Sequence, residues 1–503
     1  MLLAVVMACV LALPAHAGTL SGIYHNPYGT DDLYSQDPCE RQPHDPEVGQ
    51  DVWLHATTWP ISPGQSTWVT WSLNGVEQTP KGFDWDYNSG NNTYWKLNIG
   101  SFNKGDVVTY TIHADVDGGN QIDAESYSFR VAGQEYTQTV ESTVASETYL
   151  DLKLTNNSAS IRFTFPESDQ VHIQVAPHDQ PLTIADGSTY KSTDTGDTIV
   201  LSTDALSVVI NKNPYHVQLL DKTGHVITQH NGDGEKTSTH WGYDGADVQS
   251  VSDSWTAAPD ERIEGFGERY NQLNQLGKTV TNYVYNQYRD QGAAERTYLS
   301  APFYRSSAGY GLYVNSTATT VFDVSNAGQN AVSFRTETQD AHSLDYYLFT
   351  GTPERILDNY TSVVGRPKLP PKWAFGVWMS ANEWNTQAEV ENELANAQQY
   401  AIPHTAMVLE QWSDEATFYT WHGAQYQPKS GSDAPSYDDF TFPADGEWTD
   451  PKAMVDTVHD HGMKLVLWQI PVLKQNNGNV LNVKKLVTRT KPINGNRETT
   501  TRL

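Results

Sequence analysis

Between residues 21 and 131, short runs of alternating apolar and polar residues are separated by turn sequences. Typical runs are QDVWLHATTWP, STWVTWSL, NNTYWKLNIGS and DVVTYTIHADV, and the turns include Asn74-Gly75 and the sequence DGG that starts at Asp117. Alternation with a period of two is the pattern of a strand with one buried face, and regular turn signals at this spacing are typical of β-sandwiches. We therefore predict a small, immunoglobulin-like β-sandwich over residues 21–131.

Trp68 and Trp71 lie three residues apart, so on one strand they face opposite sides of the sheet. One interpretation leaves one indole free to stack on a sugar ring, which would make the sandwich a carbohydrate-binding module. The alternative packs both tryptophans in the sandwich or against the next domain, as large aromatic side chains usually do. The sequence leaves both interpretations open.

A polar stretch, AGQEYTQTVESTVASET, separates this module from a second β-rich region over residues 148–365. Segments such as YLDLKLTNNSASIRFTF and TIVLSTDALSVVI alternate well enough to be strands, and helical periodicity is nearly absent. We predict a second, larger β-sandwich here.

Over residues 370–480 the pattern changes to strand, helix, strand, helix, strand, with WAFGVWMS, TAMVLEQ and MKLVLWQIPVLK as the strands. The first helix starts at a capping box, Thr386 with Glu389 three residues later. The second has Asp450 as its N-cap and Pro451 at its first position. This alternation predicts a parallel sheet, either a (β/α)8 barrel or an open sheet.

The loops after these three strands carry polar and aromatic side chains. They include Trp378 to Trp384, Glu410-Gln411-Trp412 and Gln469 to Pro471. In a (β/α)8 barrel, the loops at the carboxyl ends of the strands form the active site. A sugar requires this mixture, because its ring faces stack on indoles and its vicinal hydroxyls pair with carboxylates and amides.

The chain of 503 residues is strongly acidic, with 60 Asp and Glu against 32 Lys and Arg and a formal net charge of -28. Such a surplus repels phosphates, so neither nucleic acid nor an anionic membrane is expected as a partner. His459 and His461 are two apart on a helix and cannot share a face, so no metal site is expected there. The sequence does not predict the oligomeric state.

Residues 1–17, MLLAVVMACVLALPAHA, form an apolar stretch too short to anchor stably in a bilayer, and they end in the small-x-small sequence Ala15-His16-Ala17. We interpret this stretch as a secretory signal peptide, although it lacks the usual positive start; a buried strand or helix is the alternative. The expected location is therefore extracellular. Cleavage would leave Cys39 as the one cysteine and exclude an intramolecular disulfide.

Four segments resemble glycoside hydrolase family 31, the α-glucosidase family. They are IEGFGERYNQLNQLGKTVTNYVYNQY, FGVWMSANEWNTQAEVENEL, AMVLEQWSDEATFYTW and DDFTFPADGEWTDPKAMVDTVHDHGMKLVLWQIPVLK. The likeness is strongest to the secreted bacterial branch of α-glucosyltransferases and isomaltosyltransferases. It implies two N-terminal β-sandwiches, the second galactose-mutarotase-like, before a (β/α)8 barrel. It also implies a retaining hydrolase or transglycosylase that needs no cofactor, with an α-glucan or α-gluco-oligosaccharide as its partner.

The resemblance also indicates which residues bind the sugar. Many family members have an Asp at the end of strand two that holds a hydroxyl in the cleavage subsite, and Glu410 stands at the matching position. Asn274 lies on a sandwich loop that reaches the active site in the family. The substrate-binding candidates are Glu410, Gln411, Trp412, Trp378, Asn382, Trp384, Gln469 and Asn274. The alternative for Glu410 is an ion pair with a Lys or Arg, and for Trp378 and Trp468 it is packing inside the barrel.

In this family the nucleophilic Asp ends strand four and the acid/base Asp ends strand six, and retention requires these carboxyl groups to be about 5–5.5 Å apart. The sequence supplies three strands, so we expect an incomplete barrel of three βα units and assign a catalytic role to no residue. Residues 481–503 carry six Lys or Arg and one Glu in an otherwise acidic chain. We interpret this tail as translation in a shifted reading frame; a genuine basic tail is the alternative.

Two functions follow from these expectations. The first is a family 31 glycoside hydrolase or transglycosylase of which this chain is a truncated and, by itself, inactive fragment. The second is a non-catalytic, secreted protein whose sandwiches bind α-glucan through aromatic side chains. Binding of soluble α-glucan without release of glucose would favour the second, whereas turnover would contradict the assignment of no catalytic residue.

Overall fold

The computed structural model describes residues 18–27, 40–155, 158–178, 180–183, 187–232, 236–244, 247–284, 297–326, 328–337, 343–413, 420–426, 436–469, 472–473 and 501–502. The predicted signal peptide, and the predicted aberrant tail up to residue 500, lie outside these ranges. The chain divides into two compact units, Met1–Arg366 and Pro367–Leu503. Within the described ranges, none of the helices has the length and apolarity needed to cross a bilayer.

The first unit opens with two five-stranded antiparallel sheets. Their strands are β1 (Gly22–Tyr24), β2 (Arg41–Gln42), β3 (Val52–Trp59), β4 (Gln65–Leu73), β5 (Val76–Glu77), β6 (Lys81–Gly82), β7 (Asp84–Ser89), β8 (Asn92–Gly100), β9 (Val107–Val116) and β10 (Gln121–Arg130). One sheet has the order β1-β3-β8-β7 with β2 beside β3, and the other β10-β9-β4-β5 with β6 beside β4. Both sheets contribute to one core, which includes Val52, Leu97, Val69 and Ile112, so the two sheets form a small sandwich.

The two tryptophans of β4 face opposite sides, as their spacing predicts. Trp71 packs against the core of the small sandwich and donates its indole N–H to the carbonyl of Thr79 at 3.1 Å. Trp68 lies on the outer face, where its ring stacks on His113 with the centroids 5.4 Å apart. The outer indole therefore already has an aromatic neighbour.

Three sheets follow in the first unit. Their strands are β11 (Gly133–Tyr136), β12 (Val140–Ala145), β13 (Tyr149–Leu154), β14 (Ala159–Thr164), β15 (Gln170–Pro177), β16 (Lys191–Asp194), β17 (Thr198–Ser202), β18 (Leu206–Lys212), β19 (Tyr215–Asp221), β20 (Val226–Gln229), β21 (His240–Asp244), β22 (Asp247–Thr256), β23 (Ile263–Gly267), β24 (Lys278–Asn282), β25 (Ser300–Ser306), β26 (Tyr310–Val314), β27 (Thr320–Val324), β28 (Ala331–Glu337) and β29 (Leu344–Thr350). The orders are β11-β21-β22-β28-β27-β24, β12-β13-β14-β15-β29-β26-β25-β23 and β16-β17-β18-β19-β20. All three sheets share one core. The larger sandwich therefore contains an additional five-stranded sheet, β16 to β20, which the sequence pattern did not predict.

The polar stretch between the two predicted sandwiches is not a bare linker, because it contains β11 and β12. Each is the edge strand of its sheet, and in β12 only Val140 is buried. An edge strand that buries so little carries no apolar alternation, which is why the sequence pattern misses it. The second β-region therefore begins earlier than residue 148.

The first unit ends in a helix, α1 (Pro353–Val364), where the sequence pattern indicates none. Thr352 is its N-cap and accepts a hydrogen bond from the backbone N–H of Arg355 at 3.3 Å. Gly365 ends the helix at a φ of 100°, a conformation that favours glycine. Thr352-Pro353 and Gly365 are therefore start and stop signals that identify this helix.

The second unit contains a three-stranded parallel sheet and two helices among its described residues. In chain order its elements are a 3-10 turn (Lys372–Phe375), β30 (Trp378–Ala381), α2 (Gln387–Gln399), β31 (Ala406–Leu409), β32 (Gln425–Tyr426), a 3-10 turn (Tyr437–Asp439), β33 (Phe440–Thr441), α3 (Pro451–Asp460), β34 (Lys464–Leu467), β35 (Val472–Leu473) and β36 (Thr501–Arg502). The parallel order is β30-β31-β34, while β32 pairs with β33 and β35 with β36. Both predicted helix starts are confirmed, since Thr386 accepts from the N–H of Glu389 and Asp450 from that of Ala453.

Candidate functional site

Three loops begin at one edge of the parallel sheet. The register aligns Ala381, Leu409 and Leu467 at the carboxyl ends of β30, β31 and β34. The residues that come next, and that therefore lie level with one another, are Asn382, Glu410 and Trp468. This edge is where the sequence places its candidate sugar contacts.

One face of this sheet is covered by helices. Met407 and Leu409 of β31 share a buried core with Leu394 of α2 and Val458 of α3. Because side chains alternate along a strand, Ser380 and Glu410 belong to the opposite face. Ser380 is exposed and Glu410 is half-buried. The edge thus presents polar groups on the side that the two helices leave open.

A serine links two of the loops. The Ser380 hydroxyl lies 2.6 Å from Asn382 Oδ1 and 3.2 Å from Glu410 Oε1, so it lies between two acceptors. A hydroxyl has one proton and can donate to only one of them at a time. Within the described residues Glu410 has no ion pair with Lys, Arg or His, so the ion-pair alternative for this carboxylate has no partner there. Its carboxylate therefore keeps acceptor capacity for the hydroxyls of a ligand.

Trp412 supports this edge from the side of the sheet that faces the helices. Its side chain is 4% exposed within the helix-facing core, and its indole N–H donates to the carbonyl of Trp468 at 2.7 Å. Its ring also meets Trp421 edge-on, with the centroids 5.1 Å apart. Trp412 thus ties the end of β31 to the end of β34, and its ring surface is occupied by protein.

The remaining candidates at this edge are more open. Asn382, Gln411 and Gln469 are exposed, and Trp384 is partly buried against the helix-facing core. Trp468 is 41% exposed. The structure brings these side chains to the same edge as Glu410.

Trp378 does not belong to this edge. The predicted strand WAFGVWMS starts as a 3-10 turn, so β30 begins only at Trp378. Trp378 therefore lies at the amino end of the strand, roughly 13 Å along it from Asn382 by the rise per residue. Its indole N–H donates to the carbonyl of Ala374 at 3.1 Å, and its ring lies beside Trp373.

Asn274 lies in the first unit, on the loop before β24. Its Oδ1 accepts hydrogen bonds from the backbone N–H groups of Ile263 at 3.0 Å and Leu276 at 3.1 Å. Through these hydrogen bonds the side-chain oxygen stabilises the conformation of the loop.

The sequence did not single out Gln387, which fixes the start of both helices. Its Oε1 accepts from the backbone N–H of Asp450 at 2.7 Å, and its Nε2 donates to Glu391 at 2.8 Å. The side chain is buried at the first position of α2, where a polar residue next to an N-cap is the only signal. No group of three or more His, Cys, Asp or Glu suited to a metal ion occurs in the described part of the chain.

Models of three protein families match this chain. "Lmo2446-like, N-terminal" matches residues 24–95. "Glycosyl hydrolase 31 N-terminal galactose mutarotase-like domain" matches residues 139–323, and "Glycosyl hydrolases family 31 TIM-barrel domain" matches residues 367–499. This chain belongs to glycoside hydrolase family 31. The resemblance seen in the sequence is thereby confirmed, and its second sandwich is the mutarotase-like domain of the family.

Proteins of named activity are similar to this chain over different lengths. The isomaltosyltransferase of Sporosarcina globispora is 42% identical over 464 residues, which are 90% of this chain and 42% of that protein. The 1,3-alpha-isomaltosidase of Kribbella flavida is 38% identical over 218 residues, 42% of this chain and 30% of that protein. The chain therefore spans less than half the length of these relatives.

A solved structure agrees with this placement. The cycloalternan-forming enzyme from Listeria monocytogenes, in complex with a pentasaccharide substrate, is 41% identical with a TM-score of 0.72, and the match covers 94% of this chain and 45% of that one. The cycloalternan-degrading enzyme from Trueperella pyogenes, 23% identical with a TM-score of 0.55, shows the shared fold alone.

Proposed function

We propose that this chain is part of a secreted family 31 enzyme that acts on α-linked gluco-oligosaccharides as a retaining transglycosylase or hydrolase. The observation that carries the proposal is the 42% identity with an isomaltosyltransferase over 464 residues, which runs through both units. The pentasaccharide complex of the cycloalternan-forming relative supports the same class of substrate.

In this proposal β30, β31 and β34 are the first three strands of a (β/α)8 barrel. Retention of configuration requires two carboxylic acids about 5–5.5 Å apart, one as nucleophile and one as acid and then base. The family resemblance places them at the ends of strands four and six. No residue of the three described strands is assigned either role, so this chain by itself is expected to bind without turnover.

The chain contributes the part of the subsite that holds sugar hydroxyls. Glu410 accepts hydrogen bonds from hydroxyls, and the serine hydroxyl of Ser380 orients it. Asn382 and Gln411 supply amide groups that donate and accept. Trp468 is partly exposed at this edge, while Trp412 holds the two strand ends together.

The proposal is tested by electrophoresis of the purified chain in native gels with dextran, together with chromatography of isomaltotriose incubated with the same protein. We expect retardation by dextran, none by a β-linked glucan such as hydroxyethylcellulose, and no glucose released. Equal migration in all gels would contradict the α-glucan proposal. Release of glucose would contradict the assignment of the catalytic pair to strands other than the three described.

Secretion is a separate part of the proposal. It rests on the apolar stretch of residues 1–17 and its small-x-small ending. The test is N-terminal sequencing of protein exported from a bacterial host, where Gly18 is expected as the first residue. Retention of the uncleaved chain inside the cell would contradict it.

A further inference from the structure

A cavity lies within the first unit. It has a volume of about 880 Å³. One wall is a face of the six-stranded sheet, where residues of β21, β22, β24, β27 and β28 line the cavity. The other wall is the small sandwich, which contributes residues 42–44 and 50–53, among them Trp53. The cavity is therefore a cleft between the two sandwiches.

A buried ion pair joins the two walls. Arg335 Nε lies 3.2 Å from Glu47 Oε1, with their side chains 14% and 0% exposed, and Arg335 also donates to the carbonyl of Asp45 at 3.0 Å. Glu47 accepts further hydrogen bonds from the Ser250 hydroxyl and the Gln134 amide. Because these contacts bridge both sandwiches, the cleft has a fixed width in the absence of a ligand.

The residues that line the cleft carry a net negative charge, which excludes anionic ligands. The carboxylates of Asp51, Asp323 and Glu337 line the cleft against the single guanidinium of Arg335, whereas the carboxylate of Asp253 accepts a hydrogen bond from the Tyr346 hydroxyl in the core. A phosphate or sulfate would meet net negative charge there. Burial raises the pKa of Glu337 above its ordinary value, so this carboxyl gains a proton more readily than a surface glutamate.

The same lining suits a neutral sugar. Trp53 is 39% exposed although it is a large aromatic residue at the cleft wall, and neighbouring strands offer hydroxyls such as those of Thr279 and Thr281. A flat apolar ring surface beside hydroxyls and carboxylates matches a pyranose, whose C–H face stacks while its hydroxyls form hydrogen bonds. The volume lies within the range of small-molecule binding sites.

We propose that this cleft is a second carbohydrate site, which holds a neutral gluco-oligosaccharide on Trp53 apart from the subsite at Glu410. The choice of glucose units rests on the function proposed above, whereas the choice of a neutral polyol rests on the cleft alone. The site would retain glucan chains on the protein without acting on them.

The test uses the full chain and isothermal titration with isomaltotriose, isomaltohexaose and inorganic phosphate. Trp53→Ala is expected to raise the Kd of the cleft site by about tenfold or more, and Trp53→Phe to restore part of the affinity because it keeps a stacking ring. Trp85→Ala is the matched control, since Trp85 is 58% exposed on the same sandwich and does not line the cleft. Glu410→Gln should leave binding in the cleft unchanged.

The outcomes separate this site from the proposed function. The proposal that the cleft binds sugar is supported if Trp53→Ala loses one class of binding sites and melts at the same temperature as Trp85→Ala. Equal affinities and equal stoichiometry in Trp53→Ala and the parent chain overturn it, whether or not Glu410→Gln weakens binding. Binding of phosphate in competition with the sugar would also overturn it, because the acidic lining excludes anions.

Discussion

Ser380 and Glu410 end adjacent parallel strands, and the Ser380 hydroxyl lies 3.2 Å from Glu410 Oε1. The same hydroxyl lies 2.6 Å from Asn382 Oδ1. A small side chain thus sets the position of two larger polar ones at the edge where the sugar is proposed to bind. This relationship can be tested by removing one oxygen atom.

Ser380→Ala is expected to weaken isomaltotriose binding at this edge by about fivefold, since a neutral hydrogen bond contributes about 1 kcal/mol. The measurement is titration calorimetry in protein that also carries Trp53→Ala, so that the cleft does not contribute. Ser380→Thr keeps the hydroxyl and should recover most of the affinity. A loss of the same size in both variants would mean that the hydroxyl does not position Glu410.

Trp412→Ala is expected to lower the free energy of unfolding of the second unit by about 3–5 kcal/mol, because it leaves a cavity in a core where this side chain is 4% exposed. Urea unfolding followed by tryptophan fluorescence measures the loss. Trp378→Ala is the matched control, since this side chain is 43% exposed, and its effect should stay within about 1 kcal/mol. Equal losses would contradict a supporting role specific to Trp412.

Glu47→Ala is expected to destabilise the first unit by about 3 kcal/mol, because it removes the fully buried carboxylate nearest to Arg335 and leaves that guanidinium with Glu337 alone, 3.6 Å away, as its ion-pair partner among the described residues. Burial raises the pKa of Glu47, but Arg335 and the Ser250 hydroxyl outweigh this, so the pKa lies below its usual value and the group is charged at neutral pH. The test is a denaturant titration of the first unit's transition.

The control for Glu47 is another ion pair between the same sandwiches. Arg130 Nε lies 3.1 Å from Asp244 Oδ1, but both side chains are exposed to solvent, at 57% and 34%. Arg130→Ala should therefore cost no more than about 1 kcal/mol. If Arg130→Ala costs as much as Glu47→Ala, burial is not what makes the inner pair important.

His25 is expected to make the small sandwich less stable in mild acid. Burial lowers its pKa to about 3, and this outweighs the hydrogen bond to the backbone carbonyl of His55, which raises the pKa. The neutral ring donates through Nδ1 to the carbonyl of His55 at 2.6 Å and bonds through Nε2 to the Tyr110 hydroxyl at 2.9 Å. Since the folded pKa lies below the unfolded value of 6.5, the stabilisation is complete above pH 6.5 and is lost as the pH falls towards 3.

The expected loss between pH 7 and pH 5 is about 2 kcal/mol. Thermal unfolding at both pH values measures it, and His25→Gln should reduce the difference. His225→Gln, a change at an exposed histidine, should leave the difference unchanged. An undiminished pH effect in His25→Gln would show that another group is responsible.

Local signals predicted much of the second unit. Thr386 and Asp450 cap their helices because capping depends on a few neighbouring residues. β31 falls within the predicted strand TAMVLEQ, whereas β34 ends at Leu467, before the end predicted at Gln469 to Pro471. The place of Trp378 did not follow from the pattern, because the chain turns once before it enters β30, and an apolar run cannot distinguish a 3-10 turn from a strand.

The sequence pattern could not predict contacts between residues that lie far apart in the chain. Trp412 lies two positions after Glu410 in the chain. Only its contacts with the Trp421 ring and the carbonyl of Trp468 show that protein covers its indole. The cleft joins Trp53 with residues of β24 to β28 that are more than two hundred positions away. No local period encodes contacts over that separation.

The most direct test of the central claim is titration of the Trp53→Ala chain with isomaltotriose and with cellotriose, repeated after the additional change Glu410→Gln. The account predicts saturable binding of isomaltotriose, none of the β-linked cellotriose, and a Kd at least about tenfold higher in Glu410→Gln, because a charged hydrogen-bond acceptor is lost. Glu393→Gln, at a partly buried carboxylate on α2 that meets the amides of Asn392 and Asn396, should leave the Kd unchanged. Equal binding of the two trisaccharides, or an unchanged Kd in Glu410→Gln, would contradict the account.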